Sequence, residues 1–159
     1  DKGRIILKMN SLQDKKMIKE LYKASSAGVE IDLIVRGICC LVPNQPYSEN
    51  IKITRMVDSY LEHTRIWYFH NNGDPTYHLT SADWMERNLK RRIETAFPIY
   101  CEKHRQQIMD FLTIQLNDNV KAYTIDENLN IIFKKDDKPK VRAQRAFYNY
   151  LKEETKAKK

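Results

Sequence analysis

Two short patterns in this chain have the residue types and spacing of phosphate chemistry. The first is His63-Thr64-Arg65; the second, Ser81-Ala82-Asp83, begins sixteen residues after Arg65. A neutral imidazole can act as nucleophile, general base or general acid near neutral pH. A neighbouring guanidinium can hold phosphate oxygens through paired, charge-assisted hydrogen bonds. On a strand, positions 63 and 65 point to one face, so the two groups would act together. Ser81 can hydrogen-bond a phosphate oxygen or hold the His63 imidazole in one tautomer. A carboxylate repels phosphate, so Asp83 is assigned an orienting role. Glu62 either orients the imidazole or faces solvent.

A third candidate is Arg36, which closes the apolar run Leu33-Ile34-Val35 and precedes Gly37. Ligands of open α/β sheets gather at the carboxyl ends of strands, and a glycine lets backbone approach closely. The bland alternative is a salt-bridged arginine at a strand end. A fourth is the run Arg87-Asn88-Leu89-Lys90-Arg91-Arg92, which is rich in cations and has no acid. Helical spacing would put residues 88, 91 and 92 on one side of a turn, where they could line a phosphate channel. His70, His78 and His104 have no evident partners and read as structural. Trp67 and Trp84 read as core. The motif GxxxxGK[ST] is absent, so a P-loop mechanism is excluded.

The elements that must position these residues follow from spacing. Arg4–Lys8 reads as a strand, residues 14–27 as a helix capped by Ser11 or Asp14 and stopped by Gly28, and Glu30–Val35 as a buried strand. Together they form a right-handed βαβ unit on a parallel sheet. Residues 43–46 are a loop. Ile51–Ile53 is a strand, 56–61 a short helix, 65–69 a strand, 71–75 a turn and 76–80 the paired strand. Residues 83–91 are a loop leading into a helix, and 98–116 a long helix. Residues 120–125 and 131–133 form a hairpin, and 141–152 a last helix. The fold class is α/β, a mixed sheet flanked by helices.

Length and composition bound the function. A chain of 159 residues, 42% hydrophobic and poor in Gly and Pro, fits one folded domain. No apolar run approaches the ~18 residues of a membrane span. Asp1-Lys2-Gly3-Arg4 has no apolar h-region, and the chain does not start with Met. We read it as a piece of a larger protein. Cys39, Cys40 and Cys101 have neither zinc-ligand nor CxxC spacing and read as reduced thiols of the cytoplasm. The net charge of +7 points to a polyanion: nucleic acid, polyphosphate or acidic lipid. Ten Lys or Arg against four Asp or Glu lie between Lys134 and Lys159, so most of that charge belongs to a basic tail. A specific anion site must therefore rest on individual residues, not on the total.

The His63-Thr64-Arg65 and Ser81-x-Asp83 patterns resemble the His-x-Lys and Ser-x-Asn elements of the phospholipase D superfamily, with Arg for Lys and Asp for Asn. The longer runs Leu33–Cys39, Asp58–Arg65 and Ser81–Asn88 resemble the second C-terminal domain of bacterial polyphosphate kinase. The likeness extends from Arg4–Asn10 to Lys140–Gln144. It implies a phospholipase D-like mixed sheet, with residues 1–159 as a C-terminal catalytic subdomain. It implies reversible transfer of the terminal phosphate of ATP to inorganic polyphosphate through a phosphohistidine in a preceding domain; the isolated chain would then be silent.

Carried over residue by residue, the resemblance makes His63 the acid, base or charge stabiliser. Arg36, Arg65, Arg92 and then Arg87 become phosphate contacts, with Ser81 and Asp83 beside them. No metal ligand is assigned; Mg²⁺ would ride on the phosphates. The implied partners are polyphosphate, ATP/ADP, the preceding domains and a second copy of the chain, with no nucleic acid. The implied location is the cytoplasm, with peripheral membrane association left open. The alternatives are a phospholipase D-class phosphodiesterase or nuclease, which needs two histidine motifs, and a non-enzymatic polyanion-binding module.

Overall fold

The computed structural model describes residues 3–156. The readings that involve Asp1, Lys2, Lys158 and Lys159 lie outside the described residues. Eight strands form one mixed sheet in the order β6-β5-β4-β1-β2-β3-β7-β8. They are β1 (Arg4–Met9), β2 (Glu30–Val35), β3 (Ile51–Met56), β4 (Ile66–Phe69), β5 (Thr76–Thr80), β6 (Ala96–Pro98), β7 (Ala122–Ile125) and β8 (Ile131–Phe133). The helices are α1 (Lys15–Ser26), α2 (Glu86–Arg91), α3 (Glu102–Leu116) and α4 (Ala143–Lys156).

The central strands β1, β2 and β3 are parallel, and the remaining pairs are antiparallel. The expected βαβ unit is therefore present. Both faces of the sheet are covered. Leu7, Met9, Leu33 and Val35 join Ile18 and Leu21 of α1 in one core, while Ile6, Ile34, Ile66 and Tyr68 join Leu112 of α3 in the other. A strand buried on both faces reads as a continuous apolar run, which is why β2 stands out in the sequence. Asp14 caps α1 by accepting from Lys16 N–H at 2.9 Å and Met17 N–H at 3.0 Å. Gly28, at φ 85°, follows the helix end in the left-handed conformation that suits glycine.

Several expected boundaries move. The helix expected over 56–61 does not form. Strand β3 runs on to Met56 because Thr54, Arg55 and Met56 find partners in β7, and residues 57–65 are then irregular. Arg65 lies just before β4, so His63 and Arg65 do not share a strand face. The long helix starts at Glu102, not at 98; Pro98 ends the edge strand β6, a position that tolerates its missing N–H. No helix among the described residues is long and apolar enough to cross a membrane.

The topology sends one set of chain segments to one edge. Strands β1, β2, β3 and β5 end there and β4 begins there, with Lys8 opposite Ile66 and Ile66 opposite Leu79. Beyond that edge the connections are stitched together. Leu12 N–H donates to Ile38 O at 2.8 Å, Cys40 N–H to Leu12 O at 2.9 Å and Gln13 N–H to Trp84 O at 2.8 Å. Trp84, 4% exposed, packs edge-on to Trp67 at 6.0 Å, so both serve the core. Gly37 sits where a Cβ would lie 2.7 Å from the Asn10 carbonyl oxygen. Gly37→Ala must push the loops after β1 and β2 apart. Overpacking of this kind costs about 1–3 kcal/mol. A urea titration should show that loss, and an unchanged midpoint would refute the close approach.

Candidate functional site

Asp83 is the hub of the shared edge. It is 5% exposed. Its Oδ1 accepts from Asn10 N–H at 2.8 Å, Ser11 N–H at 3.3 Å and Arg65 Nε at 2.9 Å, and its Oδ2 from Arg65 Nη2 at 3.3 Å. Burial alone would raise the Asp83 pKa, but the Arg65 fork and the two backbone donors leave it lowered. Asn10 in turn accepts from Arg36 Nε at 2.7 Å through its side chain. One carboxylate thus ties the ends of β1, β2 and β5 to both arginines. It leaves the Nη groups of Arg36 without a protein partner among the described residues, next to a cavity of about 200 Å³.

A second set of polar groups borders that cavity. Lys8 lies on the face of β1 turned toward α3 and its side chain is 6% exposed. Its Nζ meets Glu62 Oε2 at 2.8 Å and Gln115 Oε1 at 3.0 Å. Burial lowers the Lys8 pKa; Glu62 opposes that shift and Arg36 adds to it. Burial pushes Glu62 the other way, yet Lys8, Gln144 and Gln115 outweigh it and its pKa is lowered. The asymmetry follows solvent, since the lysine is the drier partner. Asp58 completes the set. It takes Arg142 Nε at 2.8 Å and Nη2 at 2.6 Å, and this pairing holds its pKa at about 2.

These contacts describe an edge that places Lys8 and Arg36 around a small cavity, with His63 exposed on the segment that follows it. Residues 1–144 match the family model "Polyphosphate kinase C-terminal domain 2". The chain belongs to this family. It is 48% identical over 98% of its length to the polyphosphate kinase of Exiguobacterium sibiricum. The crystal structure of polyphosphate kinase from Porphyromonas gingivalis superposes on 99% of the chain with a TM-score of 0.96 and 57% identity. The chain spans 22% of the first relative and 24% of the second. A phospholipase D family member from Salmonella typhimurium matches 77% of the chain and is itself 82% covered, with a TM-score of 0.59 and 14% identity; that likeness shows the fold. The expected phospholipase D-like α/β architecture is therefore present.

Within this polyphosphate kinase domain the expected site residues take different states. His63 is exposed, and its imidazole has no hydrogen-bond partner among the described residues; its carbonyl accepts from Arg65 Nη1 at 3.0 Å. Neither Ser81 nor Asp83 holds its tautomer. The two-pronged grip expected of Arg65 on phosphate is instead closed on Asp83. Ser81 donates to Glu94 Oε2 and accepts from Thr95 N–H at 3.0 Å, so its hydroxyl is committed. Glu62 neither faces solvent nor orients the imidazole; it pairs with Lys8.

Residues 88, 91 and 92 do not share one side of a turn. Asn88 is buried and donates to Glu94 at 2.5 Å, Arg91 is exposed, and Arg92 has left the helix in an extended conformation. Arg87 and Arg92 are exposed and do not line the cavity beside Arg36. The charges of both Arg92 and Arg65 reach Glu94, so Arg92 stands near the same edge.

Sequence reasoning gave Lys8, Asp58, Gln115, Arg142 and Gln144 no part in the site. The signal for Lys8 was a lysine inside an apolar strand run; Arg142 and Gln144 lay in a stretch singled out only for its likeness to the family. Asp58, Glu62 and Asp83 are each tied to a cation. Among the described residues no three His, Cys, Asp or Glu cluster as a metal site. The thiols are free; burial pushes Cys39 up to about 11, which leaves it unreactive.

Two outcomes follow. Glu62→Ala strands a buried ammonium, which costs about 3 kcal/mol at the low end for a broken buried pair. Lys8→Met in the same chain should return most of it, as read in paired denaturant titrations. If the double variant is as unstable as Glu62→Ala, the ion pair is not the anchor. For Asp58, a depressed carboxyl stabilises the fold above its unfolded pKa of about 4, and that contribution disappears as pH falls toward about 2. Thermal melts of Asp58→Asn should therefore depend less steeply on pH between those limits than melts of the parent. Parallel curves would refute the assignment.

Proposed function

We propose that this chain works as the C-terminal catalytic subdomain of a longer polyphosphate kinase. There it helps move the terminal phosphate of ATP reversibly onto inorganic polyphosphate, through a phosphohistidine in a preceding domain. The observation that carries the reading is Arg36. It follows the end of a parallel strand and lines a cavity of about 200 Å³; its Nε is spent on Asn10, and its Nη groups have no hydrogen-bond partner among the described residues. Phosphoryl transfer asks for positioning and charge neutralisation more than for covalent chemistry from the protein. Arg36 supplies the direct grip on phosphate oxygens. Arg65, locked on Asp83, supplies a fixed positive field. Arg92 and then Arg87 meet the outer phosphates of the polymer. His63, exposed and without a partner, gives or takes a proton at the transferring phosphate or stabilises its charge.

A polyanion-binding module would use the Lys-rich end instead. A charge-assisted hydrogen bond is worth about 1.5–3 kcal/mol, whereas exposed charges are screened beyond about 8 Å at physiological salt. In the full-length enzyme, Arg36→Ala should weaken tripolyphosphate binding about tenfold or more at that salt. Neutralising Lys152 and Lys156 should matter mainly at low salt. A larger loss from the lysines at the higher salt would favour the binding module. His63→Ala should lower turnover by roughly 10²–10⁴-fold and leave the melting temperature near that of the parent. Near-normal turnover would remove His63 from the mechanism.

A further inference from the structure

Residues 58–63 bring His63 to its place without a ladder. Among the described residues, none of their backbone groups pairs with another backbone group. The anchors are side chains. Gln144, in the first turn of α4, clamps both backbone groups of Tyr60. Its Oε1 accepts from Tyr60 N–H at 3.0 Å, and its Nε2 donates to the Tyr60 carbonyl at 2.8 Å. The same Nε2 donates to Glu62 Oε1 at 3.0 Å. Arg142 fixes the start of the segment through Asp58, with a further bond to Ser59 Oγ at 2.8 Å. Gln115 holds Glu62 from α3 at 2.9 Å.

A segment tied down in this way is only as ordered as its clamps, because each residue freed regains about 1–2 kcal/mol of backbone entropy. Gln144 differs from the charged anchors and from Gln115, which is buried against the Lys8 ammonium. Lys8, Glu62, Asp58 and Arg142 carry charge, so their loss strands a buried or paired ion and disturbs the fold. Gln144 is neutral and half-buried on a helix surface. Its loss frees the backbone at Tyr60 and one bond to Glu62, the residue next to His63, and leaves each charge with its partner.

We propose that Gln144 is a positioning residue for His63: its carboxamide clamp on Tyr60 and Glu62 sets the reach of the imidazole in phosphoryl transfer. The proposal rests on the reading of His63 given above. A misplacement of about 1 Å can cost about 10²-fold in rate. Releasing the clamp should therefore lower kcat about 10- to 100-fold, while KM for ATP, governed by Arg36, moves little.

The test is a double-mutant cycle in the full-length enzyme: parent, Gln144→Met, His63→Ala and both together, with kcat, KM and thermal melts for each. Methionine keeps the length and helix preference of glutamine and removes both hydrogen-bonding ends. If Gln144 acts through His63, the double variant is no slower than His63→Ala alone. If the two losses multiply, or if Gln144→Met keeps the parent kcat, the positioning role is overturned while the reading of His63 stands. If His63→Ala alone keeps normal turnover, both fall. Should Gln144→Met melt near the assay temperature, Gln144→Ala takes its place in the cycle with the same outcomes.

Discussion

The buried ammonium of Lys8 is the constraint around which this edge of the sheet is arranged. A lysine on the α3 face of a central strand, almost without solvent, must find a carboxylate or lose its charge. Glu62 supplies that carboxylate from the irregular segment after β3, which is thereby drawn over the sheet edge. Gln115 of α3 then bridges the pair: its carbonyl oxygen faces Lys8 and its amide faces Glu62. A satisfied polar network of this kind specifies one arrangement, whereas an apolar core of equal volume would tolerate several. The segment that carries His63 is thus placed by a buried ion pair.

Asp83 plays the matching part on the other side of the edge. It anchors by accepting rather than by pairing one charge with one other. Two of its donors are backbone N–H groups at the end of β1 and two belong to Arg65. The geometry of the strand ends and that of the guanidinium are therefore set by the same oxygen atoms. The Gly37 approach to Asn10 adds the third strand end. The loops after β1, β2 and β5 form one unit, and Arg36 inherits its orientation from it through the Asn10 side chain. The cation that faces the cavity is positioned through contacts its own sequence neighbourhood does not contain.

That difference explains what could be read from the sequence. Strand β2 was legible because its apolar run needs burial on both faces, and α1 because Asp14, the Met17, Leu21 and Ala24 spacing and Gly28 are all local signals. The phospholipase D-like class was legible from ordered motifs. The region 56–65 was not. Its helix-like reading lost to pairing of Thr54–Met56 with β7, a partner far along the chain. The expected shared face of His63 and Arg65 needed a strand from position 63, whereas β4 begins three residues later, at Ile66. Lys8 and Gln144 carry roles that exist only once β1, α3 and α4 meet. Spacing gave the residue types of the site; it could not say which cations were already taken.

Arg36 and Arg65 make that last distinction concrete. They are the same residue type at the same sheet edge, and a count of charge treats them alike. Their states differ by the donors they have left. Arg65 spends Nε and Nη2 on Asp83 and Nη1 on the His63 carbonyl, whereas Arg36 spends only Nε. A guanidinium can join a carboxylate and a carbonyl in one plane because its donors form a rigid fork; an ammonium presents a single point. This accounts for arginine rather than lysine at position 65: a lysine there could meet Asp83 or the carbonyl but would not brace one against the other. Arg65 is thereby fixed with three of its donor atoms committed, whereas Arg36 keeps both Nη groups unbonded among the described residues.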